Sequence, residues 1–301
     1  MALSETYRRC VLVASLAAYL SWIYGDFESV DIEIRSIFPN FHVSNLLWCM
    51  LWMSFVDILL RDFFKQDANA TWYLIHALLN FSIVYRSYED LFASLVDPLH
   101  AHEGFPISAE KDSMTLIMVL HIYHVIAFPC TTEDYIHHIV SVGVVGGIGC
   151  MVNWGRSLNA CNFFMCGLPG GVDYVLLFLR KHSLIESLTE KRINSQLNLL
   201  LRWPGFVVVI YVTVLAYRVH NPAPLVGWLP ILTVLFLHGA NAAYYCQKVV
   251  GNYWVSEAQS RSPAPSGVRG SSKPHAAGQA LHQGTKVAAG AGANGGEVEA
   301  E

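Results

Sequence analysis

The stretch EDYIHHIVSVGVVGGIGCMV, residues 133–152, opens on two acids and two adjacent histidines. It then runs from Val140 to Val152 without a charge. An apolar run of that kind reads as a helix entering a membrane, with ionisable groups at its mouth. Such groups are costly at a membrane edge, so Asp134, His137 and His138 are functional candidates by default.

Composition extends the reading to the whole chain. Of 301 residues, 53% are hydrophobic and 14% charged, where a soluble domain carries about 25% charged residues. Mean hydropathy is +0.38, and the apolar residues come in long runs rather than alternating patterns. The expected class is an all-α, multi-pass transmembrane bundle, since helices satisfy their own backbone hydrogen bonds in lipid. No nucleic-acid partner is expected, and the sequence leaves the oligomeric state open. The seven cysteines are scattered, with no CxxC pair or metal-ligand spacing, and read as small packing residues.

A span needs about 20 residues. Scanning at that width predicts about eight, at 10–25, 43–60, 71–91, 113–129, 136–154, 159–180, 196–219 and 225–250. The first follows Arg8 and Arg9 like a signal peptide, but lacks a clear small-residue cleavage site and is read as an anchor. With both termini cytoplasmic, the inner ends collect Arg8, Arg9, Arg61, Lys65, Arg180, Lys181, Lys191, Arg192 and Lys248. The outer ends collect Arg35, Arg86, Lys111, Arg156 and Arg218, a bias that fits the positive-inside rule. Residues 1–42 then form an anchor with an acidic loop, 43–250 the main membrane domain, and 251–301 a disordered cytoplasmic tail rich in Ala, Gly, Ser and Pro.

This topology places the buried polar residues at one depth, in the cytoplasmic half. His121 and His124 are three apart on the fourth span, and so share a face. His76 lies near the same end of the third span. Asp173 on the sixth span and Arg202 on the seventh fall at similar depth, and pairing them would offset their burial. Gly167-Leu168-Pro169-Gly170-Gly171 predicts a break in the sixth span, and Pro204 a kink in the seventh. Gly143 and Gly147 form a GxxxG pattern, joined by Gly146 and Gly149, that predicts close helix packing.

An acid, a histidine pair opening a span (His137-His138-Ile139-Val140-Ser141) and a later buried acid resemble the TLC domain, shared by TRAM, ceramide synthases and CLN8-type proteins. The resemblance covers residues 43–250. It implies a catalytic role for His137 and His138, with Asp173 similar to the later acid. Where ceramide synthases carry a His-Asp dyad before that acid, this chain has Gly167, Leu168 and Pro169. It therefore resembles the divergent TLC-domain proteins, for which the resemblance implies roles in membrane lipid composition, lipid sensing or trafficking, with the endoplasmic reticulum as the family's usual location.

Three functional readings follow. The first is lipid homeostasis through a cytoplasm-facing cavity lined by His124, His121, Arg202 and His76, with membrane lipids as partners. The second is an acyltransferase using acyl-CoA as co-substrate, with His137 and His138 as base or acyl acceptor and Arg180, Lys181, Lys191 and Arg192 near the CoA phosphates. In it Asp134 and Asp173 join the histidines as catalytic candidates. The third, a di-iron oxygenase on His121, His124, His137 and His138, fails because the other histidines form no further clusters. No cofactor or metal is expected.

Overall fold

The computed structural model describes residues 5–102, 107–220 and 225–261. Among them there is no β-strand. The chain is a bundle of helices: α1 (Glu5–Tyr24), α2 (Glu28–Ile37), α3 (Val43–Phe63), α4 (Ala68–Val96), α5 (Met114–Ala127), α6, α7 (Arg156–Lys181), α8 (Ser187–Val219) and α9 (Leu225–Arg261). Helix α6 runs through Thr132–His138, Ile139–Gly146 and Gly147–Met151. Each of the eight stretches read as spans falls on one of these helices.

Four helices are long and apolar enough to cross a membrane: Val43–Phe63, Arg156–Lys181, Ser187–Val219 and Trp228–Arg261. A fifth follows if α1 and α2, bent by 104° at their junction, count as one. The chain is a membrane protein on that ground. Helix α5 is apolar but only 14 residues long. Helix α4 is long, at 29 residues, yet carries Asn80, Arg86, Ser87, Glu89 and Asp90. Its polarity follows from its position, since it packs against α3, α5 and α7 at the centre of the bundle. Cys49, Met53, Ile75, Leu79, Leu116, Leu120, Tyr123 and Leu177, drawn from those four helices, form the main apolar core.

Three expectations need correction. The predicted break at Gly167–Gly171 is not an unwinding. Phe163–Gly167 forms a π-helical turn, and α-helix resumes at Leu168. Pro204 repeats the arrangement, with a π turn at Asn198–Arg202. In both helices the wide turn ends two residues before the proline. Proline lacks the N–H for the carbonyl four residues back and clashes with it, and a widened turn moves that carbonyl aside. Gly170 and Gly205 then admit neighbours, for a Cβ would lie 2.6 Å from Asn80 Nδ2 and 2.2 Å from the Phe164 ring.

The GxxxG pair is the second. Gly143 and Gly147 face nothing within 4 Å, while Gly146 and Gly149 pack on Met118 and Met114 of α5. The third is the tail boundary. Helix α9 continues through residues 251–261 to Arg261, and the rest of the expected tail, 262–301, lies outside the described residues.

Candidate functional site

Helices α5 and α6 form an antiparallel hairpin whose turn is written in the sequence. Phe128 precedes Pro129 and is extended (φ −131°, ψ 154°), the conformation that a following proline favours. Thr131 then caps α6. Its Oγ1 accepts from the Asp134 N–H at 3.2 Å, and the Asp134 carboxylate accepts from the Thr131 N–H at 2.8 Å, a reciprocal capping box. Asp134 was expected to serve the histidines as a catalytic acid. Its bonded partners are instead the Thr131 N–H and hydroxyl.

The hairpin brings four histidines into ring contact. His121 Nε2 lies 3.3 Å from His137 Nε2, and His124 Nδ1 lies 2.8 Å from His138 Nε2. The ring centroid of His138 is 5.0 Å from that of His121 and 4.9 Å from that of His124. His138 is buried, at 9% exposure, and the other three are partly buried. An outward bond fixes the tautomer of His121. His121 Nδ1 is 2.7 Å from the Ile117 carbonyl, which can only accept, so Nδ1 carries the proton and Nε2 is free to accept. Ser141 Oγ is 3.5 Å from His137 Nδ1. The π-helical stretch begins at Ile139, directly after the pair, and such turns recur at functional sites.

The cluster extends inward through stacked rings. Trp72 of α4 stacks on His124 at 4.1 Å and meets His76 edge-on at 4.7 Å. His76 stacks on Tyr174 of α7 at 3.6 Å. Thus His76 joins the cluster through Trp72, a residue for which the sequence held no signal. Of the groups expected to line a cavity, His121 and His124 lie in the cluster and His76 reaches it through Trp72, whereas Arg202 bonds Asn198 of α8 outside it. A surface cleft of about 650 Å³ lies elsewhere, lined by Leu78, Phe81, Ser82, Tyr85, Arg86 and Glu110.

Asp173 and Arg202 do not pair directly. Asn194 donates to Asp173 at 2.5 Å, Asn198 donates to Asn194 at 2.9 Å, and Arg202 donates to Asn198 at 2.8 Å. Two asparagines one turn apart on α8 thus relay between the charges. Of the basic residues near the expected CoA site, Arg180 is held by Glu190 at 3.0 Å and Lys181 by Asp67 at 3.3 Å.

A second polar centre went unread. Asp57, fully buried, accepts from Arg61 Nε and Nη2 and from the Tyr123 hydroxyl at 3.1 Å. Arg61 also donates to the Ala127 carbonyl at 3.1 Å and lies over the Phe128 ring at 4.7 Å. An Asp inside a predicted span, with Arg four residues on, was the available signal. Tyr123 sits between His121 and His124 in sequence, so its bond to α3 fixes the rotation of α5 and turns both histidines toward α6. At the mouth of α6, Glu133 accepts from Lys248 at 2.5 Å and from Tyr244 at 2.8 Å. The Lys248 ammonium, with the Tyr244 hydroxyl, holds the Glu133 carboxyl below its ordinary range. At the other end, Asn40 donates to the Gly149 and Val152 carbonyls and so caps the end of α6.

No protein-family model, curated protein or solved structure matches this chain.

Proposed function

We propose that this chain is an eight-span membrane protein of the TLC type, with both termini cytoplasmic, residing in the endoplasmic reticulum. In this reading it acts on membrane lipid composition through the four-histidine cluster. One observation carries it: His121, His124, His137 and His138 converge in direct ring contact on two helices of a membrane protein. Four ionisable rings held together in such a chain are expensive unless they work. The positive-inside bias and the place of the pair at the mouth of α6 support the orientation, which gives the site access from the cytoplasmic leaflet.

The enzymatic form of this reading is acyl transfer from acyl-CoA to a lipid acceptor. It is favoured by the contact between His121 and His137, where a nitrogen free to accept a proton lies 3.3 Å from the neighbouring ring. Deletion in the native host, followed by re-expression of wild type, His137→Ala and His138→Ala, tests the proposal by lipid mass spectrometry. Altered lipid composition restored by wild type alone is the expected result. Unchanged lipids in the deletion strain would sink it. Purified protein offered acyl-CoA with sphingoid or lysophospholipid acceptors tests the enzymatic form, which fails if no product appears.

A further inference from the structure

We propose that His121, His137 and His138 hold a transition-metal ion, zinc foremost, in a three-histidine site at the α5–α6 hairpin. This deepens the reading above and rests on it only in taking the cluster as the working centre. One ring nitrogen from each histidine lies within 4.8 Å of the others. The Nε2 atoms of His121 and His137 are 3.3 Å apart. Two nitrogens bound to a tetrahedral zinc at about 2.05 Å are themselves about 3.3 Å apart. That edge of the coordination shell is already built.

The outward nitrogens make the same case. A metal-binding histidine almost always commits its other ring nitrogen to a hydrogen bond that fixes its orientation. His121 does so through Nδ1 to the Ile117 carbonyl, His137 through Nδ1 with Ser141 Oγ, and His138 through Nε2 with His124 Nδ1. That leaves His138 Nδ1, which is buried with no protein partner. A buried polar atom without a partner calls for a ligand, and a metal ion supplies one.

The donor set selects the ion. Three neutral imidazoles without a carboxylate suit zinc, copper, nickel or iron rather than magnesium or calcium. Three protein ligands leave a fourth position for water or substrate, as in catalytic zinc sites. A rival set, His124, Cys130 and His138, shares one residue. It fits less well. His124 Nδ1 and His138 Nε2 are 2.8 Å apart, closer than two nitrogens on one zinc. Cys130 Sγ is directed at the carbonyls of His124 and Phe128.

The test uses the full chain in lipid nanodiscs, purified without chelator, with metal content read by mass spectrometry. Wild type should carry about one zinc per chain. His121→Ala and His137→Ala should each fall below about a tenth of that, while His124→Gln keeps the site with affinity weakened about 10–100-fold. Cys130→Ser should match wild type. Because a histidine variant can misfold, EDTA-stripped wild type is also titrated with cobalt(II). Four-coordinate ligand-field bands without a thiolate charge-transfer band are expected. Stripped wild type that takes up neither zinc nor cobalt overturns the site, as does metal lost in Cys130→Ser and kept in His121→Ala and His137→Ala. Lipid changes on deletion with metal-free protein would refute the metal site alone. Stoichiometric metal with unchanged lipids would refute the lipid reading alone.

Discussion

Replacing Asp57 by alanine strips the acceptor from a charge network buried between α3 and α5. Arg61, 8% exposed, loses two charge-assisted bonds, and Tyr123 loses its partner. Breaking a buried pair from one side costs about 3–5 kcal/mol, because the remaining charge stays buried. Arg61 keeps the Ala127 carbonyl and the Phe128 ring, and a cation over a ring is worth about 0.5–2 kcal/mol. The net loss should therefore lie near 3–4 kcal/mol, which lowers Tm by about 6–16 °C for a chain of this size. Thermal unfolding of the detergent-solubilised protein, followed by tryptophan fluorescence, reads it. Asp57→Leu combined with Arg61→Leu should recover at least half of the loss, since apolar replacement of both partners is close to neutral. Tyr123→Phe should cost about 1.5–3 kcal/mol, the worth of a hydrogen bond to a charged group. A drop below about 2 °C for Asp57→Ala, or a double variant whose loss equals the sum of the singles, would refute the account.

Thr131→Ala should destabilise by about 1 kcal/mol through loss of the α6 cap, seen as a lower Tm with zinc content unchanged. Asn194→Ala should cost about 1–3 kcal/mol by leaving the partly buried Asp173 carboxyl without its donor, in the same melting assay; a neutral result would mean that the relay contributes nothing. Gly170→Ala drives a Cβ toward the Asn80 side chain and should cost about 1–3 kcal/mol. Gly143→Ala, facing open space, should instead raise Tm slightly through helix propensity, by up to about 1 kcal/mol. The Glu133 tether to Lys248 is stabilising above the ordinary carboxyl value of 4.5, and is lost as pH falls through the lowered folded value. Because both side chains are partly exposed, the loss should stay under about 1 kcal/mol, measured as the difference in acid-induced Tm shift between wild type and Glu133→Gln.

The helices were legible because apolar length is a one-dimensional property of the chain. The meeting of His121, His124, His137 and His138 was not read, although the four were grouped in the discarded oxygenase reading; its signal was the Pro129 turn and the Thr131 cap, which fold α5 back on α6. Partner identity was less legible. Asp173 and Arg202 share a depth but not a bond, because Asn194 and Asn198 lie between them, and a neutral side chain inside a span gives little signal. Asp134 carries two motifs at once, an acid near a histidine pair and the fourth residue of a capping box. The nearer partner won. Asp57 was hidden by its own neighbour, for Arg61 was counted as a boundary charge and not as a counter-ion. The packed glycines were misassigned because an α-helical period was carried across Ile139–Gly146, where the helix is not α.

That last stretch makes chain length a constrained quantity. A π turn is, in effect, one residue inserted into a helix, and each residue carries roughly 100° of rotation. Surface loops gain or lose residues at little thermodynamic cost. Deleting one residue from Ile139–Gly146 would instead turn everything beyond it about the helix axis, taking Gly146 and Gly149 off Met118 and Met114 while the histidine pair stayed in place. Descendants of this sequence should therefore tolerate substitutions within the three wide turns of α6, α7 and α8 more readily than any change in the number of residues they contain.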